Sequence, residues 1–203
     1  MNHRSTIQGI IFAIMIGLSL WLLQQLLMPK YMDNSRDGRL IAEYYDSDFN
    51  HDVVFVGDCE VYENISPVTL WENYGISSYI RGSAQQTIWQ SYYLIEDTFR
   101  YESPKVIVFN VLSMKYNSPD ETGSAVHREA YNRMTLDGMR WSHSKWKAIM
   151  SSMTKEELEW NSQWSYLFPI LRFHERWSQL NENDFLYLFH SENISYNGFL
   201  MQG

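Results

Sequence analysis

The chain contains a single cysteine, Cys59, which directly follows the sequence VVFVGD at positions 53–58. A short run of apolar and β-branched residues without polar alternation is typical of a strand buried on both faces. Gly57 allows a tight exit from this strand, and a thiol at the start of a following helix has its thiolate favoured by the backbone dipole. Such a thiolate is an activated nucleophile. The alternative interpretation is an inert thiol, because free cysteine is among the most buried residue types.

Two further segments are predicted to end beside Cys59. The sequences ISSYIRG at 76–82 and KVIVFNVL at 105–112 also have strand character. In an open α/β sheet, ligands bind beyond the carboxyl ends of the parallel strands. We therefore expect Gly82, Asn110 and Ser113 to lie near Cys59, where free backbone amides could form an oxyanion hole.

Helical signals separate the three predicted strands. Ser66 can cap a helix over SPVTLWENYG, with Pro67 in its first turn and Gly75 at its end. Residues 84–101 carry apolar side chains at helical spacing and predict an amphipathic helix of about four turns. The resulting β-α-β-α-β order predicts parallel strands joined by right-handed crossovers.

The first 30 residues differ in composition from the rest of the chain. No charged residue occurs from Ser5 to Pro29, a stretch long enough to span a hydrocarbon core of about 30 Å. No small-residue cleavage site follows the apolar run, so we interpret residues 1–30 as an uncleaved signal-anchor helix. The predicted topology is a single pass through the cell membrane, with the N-terminus inside and the domain extracytoplasmic.

The remainder is predicted to be a linker followed by one domain. A polar, turn-rich linker is expected over residues 31–50, and an α/β domain over residues 51–203. Within the domain, 51–113 carries the β-α-β-α-β core and 114–203 is mainly helical, where Thr154 and Glu157 form a capping box. The aromatic residues of this helical half are interpreted as core, as a carbohydrate platform or as a membrane-surface contact.

The composition restricts the classes of partner. A net charge of −8 without any run of lysine and arginine argues against nucleic acid, whose binding normally needs a clustered basic face. No metal-ligand spacing occurs, and neither a metal nor another cofactor is predicted. A single cysteine cannot form an internal disulfide, so in an exported protein it is either a free thiol or an intermolecular link.

The sequence FVGDCEVYENISPVTLWENYG, continued by YIRGSAQQTIWQSYYLIEDTFRYESPKVIVFNVLSMKYN, resembles the SGNH/GDSL hydrolase family. It is most similar to the membrane-anchored, exported DltD-like bacterial branch, over about residues 50–140. The resemblance implies an α/β fold, the three-layer α/β/α flavodoxin-like sandwich of the SGNH proteins. This chain would carry that sandwich in an incomplete form, between an N-terminal transmembrane helix and a helical C-terminal half.

The resemblance also assigns roles to the residues at the strand ends. The Gly-Asp-Ser block of the family falls on Gly57, Asp58 and Cys59, which implies that Cys59 is the nucleophile and that Gly57 and Asp58 are structural at the turn. The glycine of the second block falls on Gly82, an oxyanion-hole donor in the family. By alignment of the third strand, Ser113 falls near the oxyanion asparagine, and Asn110 is a further candidate for the same role.

Three features differ from the family pattern. A cysteine replaces the nucleophilic serine, the Gly-x-Asn-Asp block is not recognisable in FNVLSMKYN, and no Asp-x-x-His block occurs near the C-terminus, where the family has it. A base at His127, His143 or His174 is conceivable, although each is more typical of a surface or helix histidine. A three-stranded sheet would also leave an edge without its fourth strand, so either the chain is truncated, or a partner or the helical half covers that edge.

The resemblance, together with the three differences from the family pattern, leads to several expected functions. The leading expectation is a hydrolase or acyltransferase that acts on acyl esters of cell-envelope glycans, with Cys59 as its nucleophile. The alternative is a catalytically inactive SGNH-like scaffold or partner of a membrane O-acyltransferase, which the lack of a C-terminal Asp-x-x-His block favours. A third interpretation is a redox-linked protein that uses Cys59 for an intermolecular disulfide. The expected partners are the membrane and either an envelope polysaccharide or a membrane acyltransferase.

Overall fold

The structure is a computed structural model that describes residues 3–29, 38–116, 125–188 and 195–200. The chain is a mixed α/β protein divided into two compact units. The first comprises residues 1–30 and 167–191, and the second comprises residues 31–166 and 192–203. Two predicted segments lie partly outside the described residues. These are residues 30–37, which include the last residue of the predicted anchor and the start of the predicted linker, and residues 117–124 of the predicted helical half.

The described α-helices are, in chain order, α1 (His3–Leu27), α2 (Arg39–Glu43), α3 (Cys59–Asn64), α4 (Pro67–Tyr74), α5 (Ile88–Thr98), α6 (Ala125–Leu136), α7 (His143–Ser151), α8 (Lys155–Glu159), α9 (Gln163–Leu167), α10 (Ile170–Phe173) and α11 (Glu182–Leu186). Short 3₁₀ helices lie at Tyr44–Asp46, Val111–Tyr116 and His174–Gln179. Several of the α-helices begin and end as the sequence predicts. The Ser66 side chain caps α4, which ends at Gly75 with a φ of 66°. Thr154 and Glu157 form the predicted capping box at α8.

All three predicted strands are present and form one parallel sheet. They are β1 (Val53–Gly57), β2 (Ser78–Gly82) and β3 (Val106–Phe109), in the order β2-β1-β3. Two helices, α3 and α4, connect β1 to β2, whereas only α4 is predicted from the sequence. The amphipathic helix predicted over 84–101 is the shorter α5, because the Thr87 capping box opens it later than expected.

The two faces of the sheet pack against different helices. On one face, Phe55 and Ile80 pack with Val61 and Tyr62 of α3. On the other face, Arg81 reaches α5 and donates hydrogen bonds to the Leu94 carbonyl and the Thr98 hydroxyl, each of 2.9 Å. These helices hold the carboxyl ends of the strands in place, which is the edge where the predicted site lies.

The two outer edges of the sheet differ. The chain itself covers the outer edge of β2, because the Ile80 amide donates a 2.9 Å hydrogen bond to the Asn197 carbonyl. Gly198 lies so close to Ile80 there that an added Cβ would meet the Ile80 backbone. No strand pairs with the outer edge of β3 in the part of the chain that the structure describes. The edge anticipated from a three-stranded sheet is therefore that of β3.

The second half of the predicted linker is not extended chain. Arg39–Glu43 forms α2, and Leu40, Ile41, Tyr44 and Tyr45 are buried in the second unit. The linker prediction was wrong here because apolar and aromatic side chains are scattered through a polar sequence. Such a sequence has no local pattern that separates a packed helix from a solvated linker, and only tertiary packing decides between them. The α/β unit thus includes residues from the predicted linker.

The first unit is built on α1. The segment Ser5–Leu27 has a mean hydropathy of 2.1 and is almost entirely exposed, so α1 is long and apolar enough to cross a membrane. Its last turn is bound by Arg176, whose guanidinium donates a 2.9 Å hydrogen bond to the Leu27 carbonyl and a 3.0 Å hydrogen bond to Asp184. A cation at this position also matches the negative end of the helix dipole.

Candidate functional site

The turn after β1 brings Asp58 and Cys59 to the carboxyl edge of the sheet. Asp58 is the N-cap of α3, and its carboxylate accepts a 3.2 Å hydrogen bond from the Glu60 amide. This bond satisfies one of the first-turn amides for which a helix itself supplies no acceptor. Cys59 is the first residue of α3, a helix that was not predicted from the sequence, so its thiol lies at a helix N-terminus.

Two glycines allow the strand ends to approach one another closely. A Cβ added to Gly57 would lie 2.5 Å from the Asn110 Cβ and 2.6 Å from a Val61 methyl carbon. A Cβ added to Gly82 would lie 3.1 Å from the Gly57 carbonyl oxygen. The roles of these glycines are therefore steric, and Gly82 is adjacent to the turn that carries Cys59.

Asn110 joins the end of β3 to the same turn. Its Nδ2 donates a 2.9 Å hydrogen bond to the Asp58 carboxylate, and its Oδ1 accepts one of 2.9 Å from the Leu112 amide. Ser113 is fully buried, its hydroxyl makes no hydrogen bond to any described residue, and its amide donates to the Asn110 carbonyl over 3.3 Å. Of the two residues predicted from the third strand, Asn110 therefore contacts the turn directly, and Ser113 supports Asn110.

The Cys59 thiol is half-buried and lies in acidic surroundings. It packs against the apolar cluster on the α3 face of the sheet, which includes Val61 and Ile80. Burial raises the pKa of the Cys59 thiol, and the negative charges of Asp58, Glu63 and Glu60 raise it further. These effects exceed the stabilisation that the helix N-terminus gives to the thiolate, so the neutral thiol is the favoured form.

The buried Asp58 carboxyl contributes to this electrostatic environment. Burial is the main cause that raises the pKa of Asp58 above its ordinary value, and the nearby Glu60 adds to it, although the Glu60 amide acts in the opposite direction. Since Asp58 bonds Asn110 and caps α3, its carboxylate is used within the turn, as expected for a structural residue.

No base adjoins Cys59 among the described histidines of the α/β unit. His127 and His143 are exposed on α6 and α7, and His51 lies at the opposite edge of the sheet, before β1. Cys59 makes no hydrogen bond or ion pair with any of these three. His174 is exposed directly after α10 in the first unit, and His190 lies outside the described residues. A Cys–His pair, the usual means of activating a thiol, is therefore not formed by these residues.

The comparisons with known proteins add no constraint. No family model, no curated protein and no solved structure matches the chain. The assignment of roles at the Cys59 turn accordingly depends on the geometry and on the resemblance in sequence.

The sequence analysis missed one buried pair of ionisable residues. His51 and Glu102 are buried together, and the His51 Nδ1 lies 3.0 Å from one Glu102 carboxylate oxygen and 3.1 Å from the other. Each residue precedes a strand, so both lie at the amino edge of the parallel sheet. Parallel strands also begin at one common edge of the sheet. The reasoning that brought the strand ends together at Cys59 would therefore have brought His51 and Glu102 together before β1 and β3.

Proposed function

We propose that this protein is a membrane-anchored SGNH-like protein that acts as a catalytically inactive scaffold or partner of a membrane O-acyltransferase. The observation that supports this proposal is the environment of Cys59. Burial and three neighbouring carboxylates raise the pKa of the thiol, and no described histidine of the same unit adjoins it. A nucleophile needs the opposite arrangement, with a lowered pKa or an adjacent base.

The fold proposed for the second unit is the three-layer flavodoxin-like sandwich. The observed strand order β2-β1-β3 supports it, because the flavodoxin-like order 2-1-3-4-5 begins with the same three strands. The hydrogen bond from Asn110 to Asp58 supports it as well, since it joins the first and third strand ends at the turn that the family uses. In this proposal the turn is retained for structure.

The test measures the reactivity of the Cys59 thiol in the full chain, solubilised in detergent. Alkylation by a thiol probe between pH 6 and 10 should give an apparent pKa above the ~8.5 of a free cysteine. The double variant Glu60→Gln/Glu63→Gln should shift the profile to lower pH, because it removes two of the charges that disfavour the thiolate. Glu72→Gln, an exposed substitution on α4, is the matched control and should leave the profile unchanged.

A second candidate is the hydrolase or acyltransferase acting on acyl esters of cell-envelope glycans. It is favoured by the position of Cys59 at the helix N-terminus, with the backbone of Gly82 beside the turn. In that case Cys59 would have a pKa below ~8.5, and Cys59→Ser would react with a fluorophosphonate ester. Both results together would overturn the proposal of an inactive protein.

We also propose that α1 spans the membrane and that the short helices of the first unit lie at its interface. Large apolar side chains are exposed in this unit, including Trp177 at 72% in the 3₁₀ helix His174–Gln179, and Phe185 at 49% and Leu186 at 55% in α11. They belong to the same unit as α1, and Arg176 bonds the last turn of α1. Tryptophan and other aromatic residues are enriched at the interfaces of membranes.

A fluorescent label tests this arrangement in lipid bilayers. An environment-sensitive dye on Trp177→Cys, in the Cys59→Ser background, should be blue-shifted and quenched by brominated acyl chains. The same dye on Glu175→Cys, an exposed polar position two residues away, should be neither. Identical spectra at the two positions would contradict the interfacial arrangement.

The proposed orientation has the N-terminus inside and the α/β unit extracytoplasmic. A membrane-impermeant maleimide added to intact cells should therefore label Glu72→Cys, in the Cys59→Ser background, without lysis. Labelling only after lysis would place the α/β unit on the cytoplasmic side.

A further inference from the structure

The α/β unit has a polar cleft at the amino edge of its sheet, opposite the Cys59 turn. Its volume is about 330 Å³, and it lies where β1 and β2 begin. Small-molecule sites in proteins occupy roughly 300–1,000 Å³, so the cleft suits a ligand at the small end of that range. The residues that matter for recognition are Glu43, Asp46, Asp48, His51 and Tyr79, all of which line it.

The buried His51–Glu102 pair fixes the imidazole that faces the cleft. Glu102 accepts hydrogen bonds from the His51 amide, at 2.9 Å, and from the Tyr44 hydroxyl, at 2.8 Å, besides its contact with Nδ1. Burial alone would raise the pKa of Glu102, but these hydrogen bonds outweigh it and lower that pKa below its ordinary value. Because an ionised carboxylate only accepts, Nδ1 must donate, and Nε2 is left without a protein partner. In a neutral imidazole whose Nδ1 carries the proton, Nε2 is an acceptor.

Two side chains that are more than nine-tenths buried present unused polar atoms to the cleft. His51 is 9% exposed and Tyr79 is 2% exposed, and their rings meet edge to face at 5.2 Å. Neither the His51 Nε2 nor the Tyr79 hydroxyl makes a hydrogen bond to any residue that the structure describes. Both atoms are accessible from the open cleft, so solvent or a ligand in the cleft supplies the hydrogen-bond partner that the protein does not.

The charges lining the cleft are all negative. Three carboxylates contribute to it, and none of the lining residues is a lysine or arginine. Glu43 is bound by Arg39 at 3.3 Å and Asp46 lies 3.9 Å from the Arg140 guanidinium, whereas Asp48 makes no ion pair in the described part of the chain. A donor-rich positive group therefore complements the lining far better than an anion does. A bare metal ion fits less well, since no group of three ligating side chains converges among the described residues.

We propose that this cleft binds a small organic cation that carries an ammonium group, with the ammonium near Asp48 and hydrogen bonds to His51 Nε2 and the Tyr79 hydroxyl. The proposal goes beyond the function inferred for the Cys59 edge and does not depend on it. Glu102 is a positioning residue, because it acts only through the imidazole of His51.

The experiment is calorimetric titration of the full chain in detergent with three sugars of one size and different charge. The probes are glucosamine at pH 7.0, where its amine is largely protonated and an ordinary imidazole is largely neutral, glucose, which is neutral, and glucuronate, which is an anion. Glucosamine should bind, and the other two should bind at least about tenfold more weakly, the change expected when a charged hydrogen-bond donor is lost. Equal binding of all three, or no binding at millimolar concentration, overturns the proposal.

Substitutions then assign the binding to the cleft. Asp48→Asn and Tyr79→Phe keep the side-chain shapes and should each weaken glucosamine binding by about tenfold. Glu72→Gln on α4 removes the same charge elsewhere and should leave the affinity unchanged, as should Cys59→Ser at the opposite edge. Unchanged affinity in both cleft variants, with intact circular dichroism, would show that glucosamine binds elsewhere and overturn the proposal.

Discussion

At the scale of single residues, Gly57 sets the geometry of the Cys59 turn by being small. Replacing it with alanine places a carbon 2.5 Å from the Asn110 Cβ and 2.6 Å from a Val61 methyl carbon, so the strand end must shift. We expect Gly57→Ala to reduce the free energy of unfolding by about 1–3 kcal/mol, the usual cost of overpacking, as measured by urea denaturation.

A double-mutant cycle separates this clash from a loss of backbone freedom. Val61→Ala removes one of the two atoms that the new methyl group would meet. The combined variant Gly57→Ala/Val61→Ala should therefore be less destabilised than the sum of the two single variants. Strict additivity would show that the cost of Gly57→Ala lies elsewhere.

Lys145 is a residue whose charge makes stability depend on pH. It is buried on α7, donates a 2.8 Å hydrogen bond to the Met139 carbonyl, and has its Nζ 5.1 Å from the Trp141 ring centroid. Burial lowers the pKa of Lys145 from 10.5 to about 8. Between these two values the unfolded chain holds a proton that the folded chain has released, so stability rises with pH in that window, by at most ~1.4 kcal/mol per unit.

Urea unfolding between pH 7.5 and 9.5 tests this dependence. The free energy of unfolding of the wild type, relative to Lys145→Met, should increase with pH across that range. Lys147→Met, at an exposed position of the same helix, is the control, and its difference from the wild type should stay flat. A flat difference for Lys145→Met as well would mean that the ammonium is not desolvated.

At the scale of elements, a buried ion pair joins β2 to α5. Arg81 and Asp97 are fully buried, with 3.0 Å between guanidinium and carboxylate, and the guanidinium lies 4.0 Å from the Tyr44 ring centroid. Asp97→Asn leaves the buried guanidinium without its counter-charge. We expect it to cost about 3–5 kcal/mol in the free energy of unfolding, as breaking one side of a buried pair does.

An apolar double variant tests whether stability depends on the charges of this pair or on the packing of the two side chains. Arg81→Met/Asp97→Leu removes both charges at once and leaves the Tyr45 hydroxyl without its Asp97 acceptor. It should be clearly more stable than Asp97→Asn in chemical denaturation, because replacing both charges removes the desolvation penalty. A double variant as unstable as Asp97→Asn would mean that packing, and not charge, makes this contact necessary.

Elements with strong local signals could be predicted from the sequence. The three strands follow from apolar β-branched runs, α4 from Ser66, Pro67 and Gly75, and α8 from its capping box. The helix α3 was missed because six residues after a turn carry too little periodicity to identify. The covering of the β2 edge by Asn197 was missed because that contact joins distant parts of the chain and leaves no local pattern.

The candidate site was predictable in its positions and less so in its electrostatics. The rule for strand ends correctly brings Asn110 and Gly82 to the turn of Cys59. The helix N-terminus led to an expected activated thiol, whereas burial and three acidic neighbours raise the pKa instead. Whether Cys59 is a nucleophile stays a prediction, since the balance of these opposing effects depends on distances that a sequence does not contain.

At the scale of the whole molecule, the outer edge of β3 is the feature that invites association. In a parallel strand, successive residues direct their backbone hydrogen bonds alternately to the strand on one side and to the strand on the other. The amides of Val106 and Asn110 donate toward β1. The backbone groups of Ile107 and Phe109 therefore face outward. Val106 is 50% exposed and Val108 is 40% exposed, and Val108 is in register with Phe55 and Ile80 of the neighbouring strands. An apolar strand edge without a partner is a template for pairing with another chain.

A charge at this edge should therefore reduce self-association of the detergent-solubilised chain. We expect Val108→Lys to slow aggregation severalfold at a given concentration, because a strand lysine disfavours edge-to-edge pairing, as measured by light scattering and sedimentation velocity. Val68→Lys is the matched control, since Val68 on α4 is 41% exposed but lies on a helix and offers no unpaired strand backbone. Equal slowing by both lysines would assign the effect to net charge, and no slowing by Val108→Lys would show that β3 is not where the copies meet.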